Sequence, residues 1–144
     1  MRYSILFSIF IIFLFSCKKT KYTTTPQLNY KSVNTKVLSR GQTLQITLSF
    51  TDAEGDFIPD SALFVEKFEP KCVASRFKQY YKLPVFPTSQ NQAGDIVVSY
   101  TYPSVTFLGP QCNRNDTAIF KFVLRDKAKN HSDTAVSDPI VIIN

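Results

Sequence analysis

"TLQITLSFT", Thr43 to Thr51, decides the fold. Leu44, Ile46, Leu48 and Phe50 alternate with Thr43, Gln45, Thr47, Ser49 and Thr51. Strict period two with β-formers on both faces predicts a strand with one buried side, introduced by the turn signal Arg40-Gly41. A slip of one residue would turn every apolar side chain out to water, so the register is well specified.

The same pattern recurs on both sides of this segment. Ile96 to Tyr102 places Ile96, Val98, Tyr100 and Tyr102 on one side, after a predicted turn "QAGD". Ala118 to Arg125 sets Phe120, Phe122 and Leu124 against Lys121 and Arg125. Ser61 to Phe68 and Phe77 to Leu83 are further expected strands, the latter ended by Pro84. A last one, Thr134 to Ile143, contains Pro139, which removes a ladder donor and implies an edge or a bulge. No window has a 3.6-residue apolar period, so almost no helix is expected. A chain of 144 residues supports one ordinary domain. Six or seven short antiparallel strands then imply an all-β fold, an immunoglobulin/fibronectin-III-like antiparallel β-sandwich.

The N-terminus reads differently. "MRYSILFSIFIIFLFSC" has one cation, Arg2, then an apolar run from Ile5 to Phe15 broken only by Ser8. As a helix that run spans about 16 Å, against a hydrocarbon core of about 30 Å. It has the length of a signal-peptide h-region, followed by the small Ser16. Leu14-Phe15-Ser16-Cys17 resembles the lipobox of bacterial lipoproteins, in which the cysteine is lipidated after cleavage. Phe15 is bulkier than the residue usual at its place. An uncleaved anchor, or an ordinary signal peptide with an incidental cysteine, is the alternative. The expected organisation is a signal peptide over 1–16, a lipidated cysteine and polar tether over 17–27, and the sandwich over 28–144. More than one acyl chain (palmitate-like) on Cys17 would hold the domain on a membrane essentially permanently.

With Cys17 acylated, Cys72 and Cys112 are left in an exported chain, and an even remainder suggests one disulfide. Closing a loop of about 40 residues would contribute about 4 kcal/mol. Two separate buried thiols are the other reading. Zinc is disfavoured, because neither cysteine has a second Cys or His at ligand spacing. The formal charge is +6, and it falls by one when Arg2 leaves with the signal peptide. The cations are scattered rather than striped, apart from Lys18, Lys19 and Lys21 beside the anchor, so no nucleic-acid partner is expected.

"LQITLSFTDAEGD", followed by "FKFVLRDKAKNHSDTAVSDPIVI", is similar to the small immunoglobulin-like lipoproteins common in Bacteroidota. The likeness covers Gln42 to Val65 and Ala118 to Ile143, about half of the mature chain. It implies a lipid-anchored sandwich at the outer membrane and assigns no activity. In an immunoglobulin-like sandwich the loop after the second strand and the loop between the last two lie at one end. Asp52, Glu54 and Asp56 would then face Asp126, Asn130 and Asp133. Oxygen ligands from two adjacent loops suit Ca2+. The alternative is that Asp52 and Asp56 bond to turn backbone while Gly55 supplies a positive φ.

Ser61, Thr117 and Thr134 each follow Asp and precede Ala, which is similar to the pattern at which Bacteroidota attach O-glycans; Asp before a β-former is also how strands commonly begin after turns. Catalysis is not expected. His131 is the lone histidine, and no nucleophile, zinc or phosphate-loop motif occurs, so an envelope hydrolase is the weakest reading. A binding module remains: Tyr80, Tyr81 and Phe86 lie in an aromatic-rich middle that could meet an envelope protein or glycan, or else cover the core. "KKTK" after Cys17, in place of acidic residues, favours the periplasmic face.

Overall fold

The alternation of Thr43 to Thr51 becomes β3, Thr43–Asp52, with Leu44, Ile46, Leu48 and Phe50 all buried. The computed structural model describes residues 22–58, 60–71, 77–84, 90–102 and 115–143. Around β3 the described strands are β1 (Gln27–Val33), β2 (Val37–Leu38), β4 (Leu63–Phe68), β5 (Phe77–Tyr81), β6 (Gln92–Thr101), β7 (Asp116–Leu124), β8 (Ala135–Val136) and β9 (Ile140–Ile142). No helix occurs among the described residues.

The strands form an all-β sandwich. One sheet runs β1-β3-β6, and the other runs β2-β9-β7-β4-β5 with β8 beside β7. Every pairing is antiparallel except β2 with β9. The inward faces of β3, β4, β6 and β7 meet in one core, where the Tyr100 ring stacks on Phe120 at 6.2 Å and Phe120 on Phe122 at 6.4 Å. Each fully buried Leu or Phe contributes about 1.5–3 kcal/mol relative to exposure.

Several expected boundaries move: the strand from Ser61 begins at Leu63, and that over Ala118 to Arg125 runs from Asp116 to Leu124. "QAGD" is not a turn: Gln92 to Asp95 lie inside β6, because β3 continues to Asp52 and pairs with β6 over its full length. A Cβ on Gly94 would sit 3.1 Å from the Phe50 ring, so a side chain there would require the ring to give by a few tenths of an ångström. The third expected strand stops at Tyr81 rather than Leu83. The last one splits into β8 and β9, with Pro139 in the break, so β9 is an interior strand between β7 and β2.

Two serines hold that broken stretch to β7. The Ser132 N–H donates to the Leu124 carbonyl and its Oγ accepts the Leu124 N–H, both at 2.9 Å. Ser137 does the same to Phe120, at 2.9 Å each way. Each hydroxyl in turn donates to the carbonyl of the following aspartate at 2.8 Å. The repeated Ser-Asp in "HSDTAVSDP" therefore replaces ladder bonds where the chain leaves the sheet, and buried backbone groups must be paired somehow.

Candidate functional site

The acidic turn follows directly from β3. Asp52 is its last residue and is fully buried. Its Oδ2 accepts the Gly55 N–H at 2.6 Å and the Asp56 N–H at 3.3 Å. Gly55 has φ 61, the left-handed conformation that a side chain disfavours. This is the turn chemistry that the sequence allowed as an alternative to metal binding.

The second acidic loop follows β7 and is closed in a similar way. Asp126, also fully buried, accepts the Asn130 N–H on Oδ1 and the Asn130 side-chain amide on Oδ2, both at 2.7 Å. Lys129 takes a positive φ of 70 to complete the turn.

The topology joins these loops. Phe57 bridges to Asp126, and the Lys127 N–H donates to the Asp56 carbonyl at 2.9 Å. Burial raises the Asp52 pKa above its ordinary value, and the Asp56 and Asp126 carboxylates raise it further, against the two amide bonds that lower it. Oδ1 of Asp52 and Oδ1 of Asp56 are buried without a hydrogen-bond partner. Among the described residues no three His, Cys, Asp or Glu side chains are grouped to hold a metal ion. Asp52, Asp56, Asp126 and Asn130 thus come together at one end, while Glu54 and Asp133 are exposed and their carboxylates make no hydrogen bond or ion pair among the described residues.

The aromatic pair is separated by strand alternation. Tyr80 stands outside, 51% exposed, its ring 5.1 Å from Phe64 with the Arg125 guanidinium 5.6 Å above it. Tyr81 turns inward and packs 6.1 Å from Tyr100. There it lines a cleft of about 440 Å³ between β5 and β6, with Leu63, Leu83 and Pro84 on one side and Ile96, Val98 and Tyr100 on the other. That volume is within the usual range of ligand sites, about 300–1,000 Å³. Sequence reading missed this cleft, because its walls come from strands whose adjacency no local pattern encodes.

Of the modification candidates, Thr134 is exposed and Ser61 half-buried in a turn; Thr117 is half-buried within β7, opposite Val141. His131 is exposed and pairs through its backbone with Arg125. Cys17, Cys72, Cys112 and Phe86 lie outside the described residues. No helix among the described residues is long and apolar enough to cross a membrane.

No protein-family model matches the chain, and no curated protein matches its sequence. Among solved structures it is similar to Spo0M, a sporulation control protein from Bacillus subtilis, at 10% identity and a TM-score of 0.46, over 85% of this chain and 51% of that one.

Proposed function

We propose that the chain is a non-catalytic, lipid-anchored module of the cell envelope whose sandwich binds a partner in the cleft between β5 and β6. The observation that carries the binding role is the cleft itself, an apolar recess reaching Tyr81 and Tyr100 at the open seam of the two sheets. The anchor rests on the lipobox-like Leu14 to Cys17, the outer membrane on the Bacteroidota resemblance, and the periplasmic face on the basic residues that follow Cys17. A photo-crosslinking residue in place of Val97, in cells, tests the pair of claims. A discrete adduct that is absent when the residue replaces Val37, and lost with Cys17→Ala, is the expected result. Equal labelling from both positions would sink the binding site.

A second reading, a surface module stiffened by Ca2+ at the acidic end, is favoured by the unpartnered Oδ1 of the buried Asp52. A ligand bound only by the folded state raises stability by about 2.7 kcal/mol at a hundredfold excess over Kd. Thermal melts with calcium and with excess chelator, at fixed ionic strength, decide it. An upward shift abolished by Asp52→Ala supports the clamp, and superimposable curves remove it.

A further inference from the structure

Given the binding role proposed for the cleft, on which this inference rests, the chemistry of the ligand is set by the strand beside it. β6 is the edge of its sheet: among the described residues it pairs with β3 alone. The Tyr102 N–H donates to the Gln42 carbonyl at 3.0 Å, and the register runs unbroken from Thr101 back to Gln92. Antiparallel pairing alternates, so Ile96, Val98 and Tyr100 direct their backbone groups to β3. The N–H and C=O groups of Asp95, Val97, Ser99 and Thr101 therefore point away from β3, along the free edge.

Long edges are ordinarily blunted by Pro, Lys or a bulge. "QAGDIVVSYT" has neither Pro nor Lys and no register break, and Val97 at its middle is 56% exposed. The cleft opens beside this edge. Ile96, Val98 and Leu83 each keep 8% exposure there, whereas Leu44, Ile46 and Leu48 on the neighbouring strand keep none. The interior is thus incompletely covered along one seam, in the position of a fourth strand of the smaller sheet.

The rim defines the charge of the occupant. Asp95 is paired with Lys31 at 2.7 Å and Lys82 with Asp60 at 3.2 Å, so the two charged residues of the cleft are already matched. A cleft of about 440 Å³ admits a few side chains and not the two-layered edge of another folded copy.

We propose that this seam binds one extended peptide segment of a partner, added to β6 as a fourth strand, with uncharged apolar side chains at alternate positions. The outward amides and carbonyls of β6 supply the main-chain bonds, as strand addition requires. Side chains alternate across a strand, so every second residue of the guest enters the cleft over Leu63, Tyr81 and Leu83.

Residue-resolved hydrogen exchange on the full chain in detergent tests this, with a synthetic ten-residue peptide alternating Val and Thr as the probe. In the free protein the amides of Val97 and Ser99 exchange fast and those of Ile96 and Val98 slowly. Peptide slows Val97 and Ser99 by about tenfold or more, at saturation well above Kd. Peptides N-methylated at alternate amides, made in both phases, lose this protection in the phase that faces β6. Val97→Pro removes an outward donor without breaking a β3 bond, and it weakens binding about tenfold while leaving the melting temperature in place. Binding that survives N-methylation in both phases, with edge amides still fast, overturns strand addition and leaves the binding reading standing. Absence of any peptide effect overturns the inference. Edge protection that grows with protein concentration assigns the edge to a second copy, and protection already present in dilute free protein overturns both the inference and the cleft as a binding site.

Discussion

The two ends of β7 bury acids in opposite ways. At its start, Asp116 lies in the interior with Lys67 and Glu69, whose side chains form an ion pair at 2.6 Å, both almost wholly buried. Burial lowers the Lys67 pKa, and the Glu69 and Asp116 carboxylates hold it up. Past its other end, Asp126 stands beside Asp52 and Asp56, and backbone and side-chain amide N–H groups, rather than a lysine, meet the Asp52 and Asp126 carboxylates. One end sets a full charge against its acids and the other sets dipoles. A full charge in low dielectric is the stronger device, and its removal is felt more.

Breaking the first end therefore gives the largest effect. Lys67→Met breaks this buried ion pair on one side only and is expected to cost about 3–5 kcal/mol. Adding Glu69→Gln restores most of that loss, as read from urea midpoints. A double variant as unstable as the single one would show that the lysine acts through packing alone.

Asp126→Ala comes next. It strips both Asn130 donors of a charged acceptor, for about 2–3 kcal/mol of stability. Gly55→Ala ranks third at about 1–2 kcal/mol, because a Cβ disfavours its left-handed backbone. Equal stability of the alanine variant in chemical melts would mean that the turn relaxes to another form.

The smallest effect sharpens the comparison through pH. The folded-state pKa of Asp52 is raised, so above the unfolded value of 3.8 the folded state holds more proton than the unfolded one. Stability then falls as pH rises through the raised value. Asp52→Asn removes that fall while keeping a side-chain oxygen for Gly55 and Asp56. Stability measured from pH 4 upward checks it; a wild-type curve that rises where the variant is flat would mean that the Gly55 and Asp56 amides, or a bound cation, outweigh burial at Asp52.

Much of the sandwich was legible. The parity of Leu44 to Phe50 and of Phe120 to Leu124 identifies the inward faces without reference to any partner, because side-chain direction in a strand is a local property. Lys67 shows how far parity reaches: it shares the face of Leu63 and Val65, so its burial could have been read from position, although lysine is rarely found inside. The joining of the two acidic loops was also expected. How Asp126 would be satisfied was not, since that depends on Asn130 folding back onto it.

Residue chemistry alone determined the all-β class, the inward faces of the long strands and the turn after β3. Each depends on steric and solvation preferences within a few residues. Tertiary structure decided that "QAGD" is strand, that Tyr80 and Tyr81 serve different surfaces, and that among the described residues β6 is an edge with a cleft beside it. Those outcomes depend on which strands lie side by side, and strand adjacency is set by contacts between residues far apart in the chain.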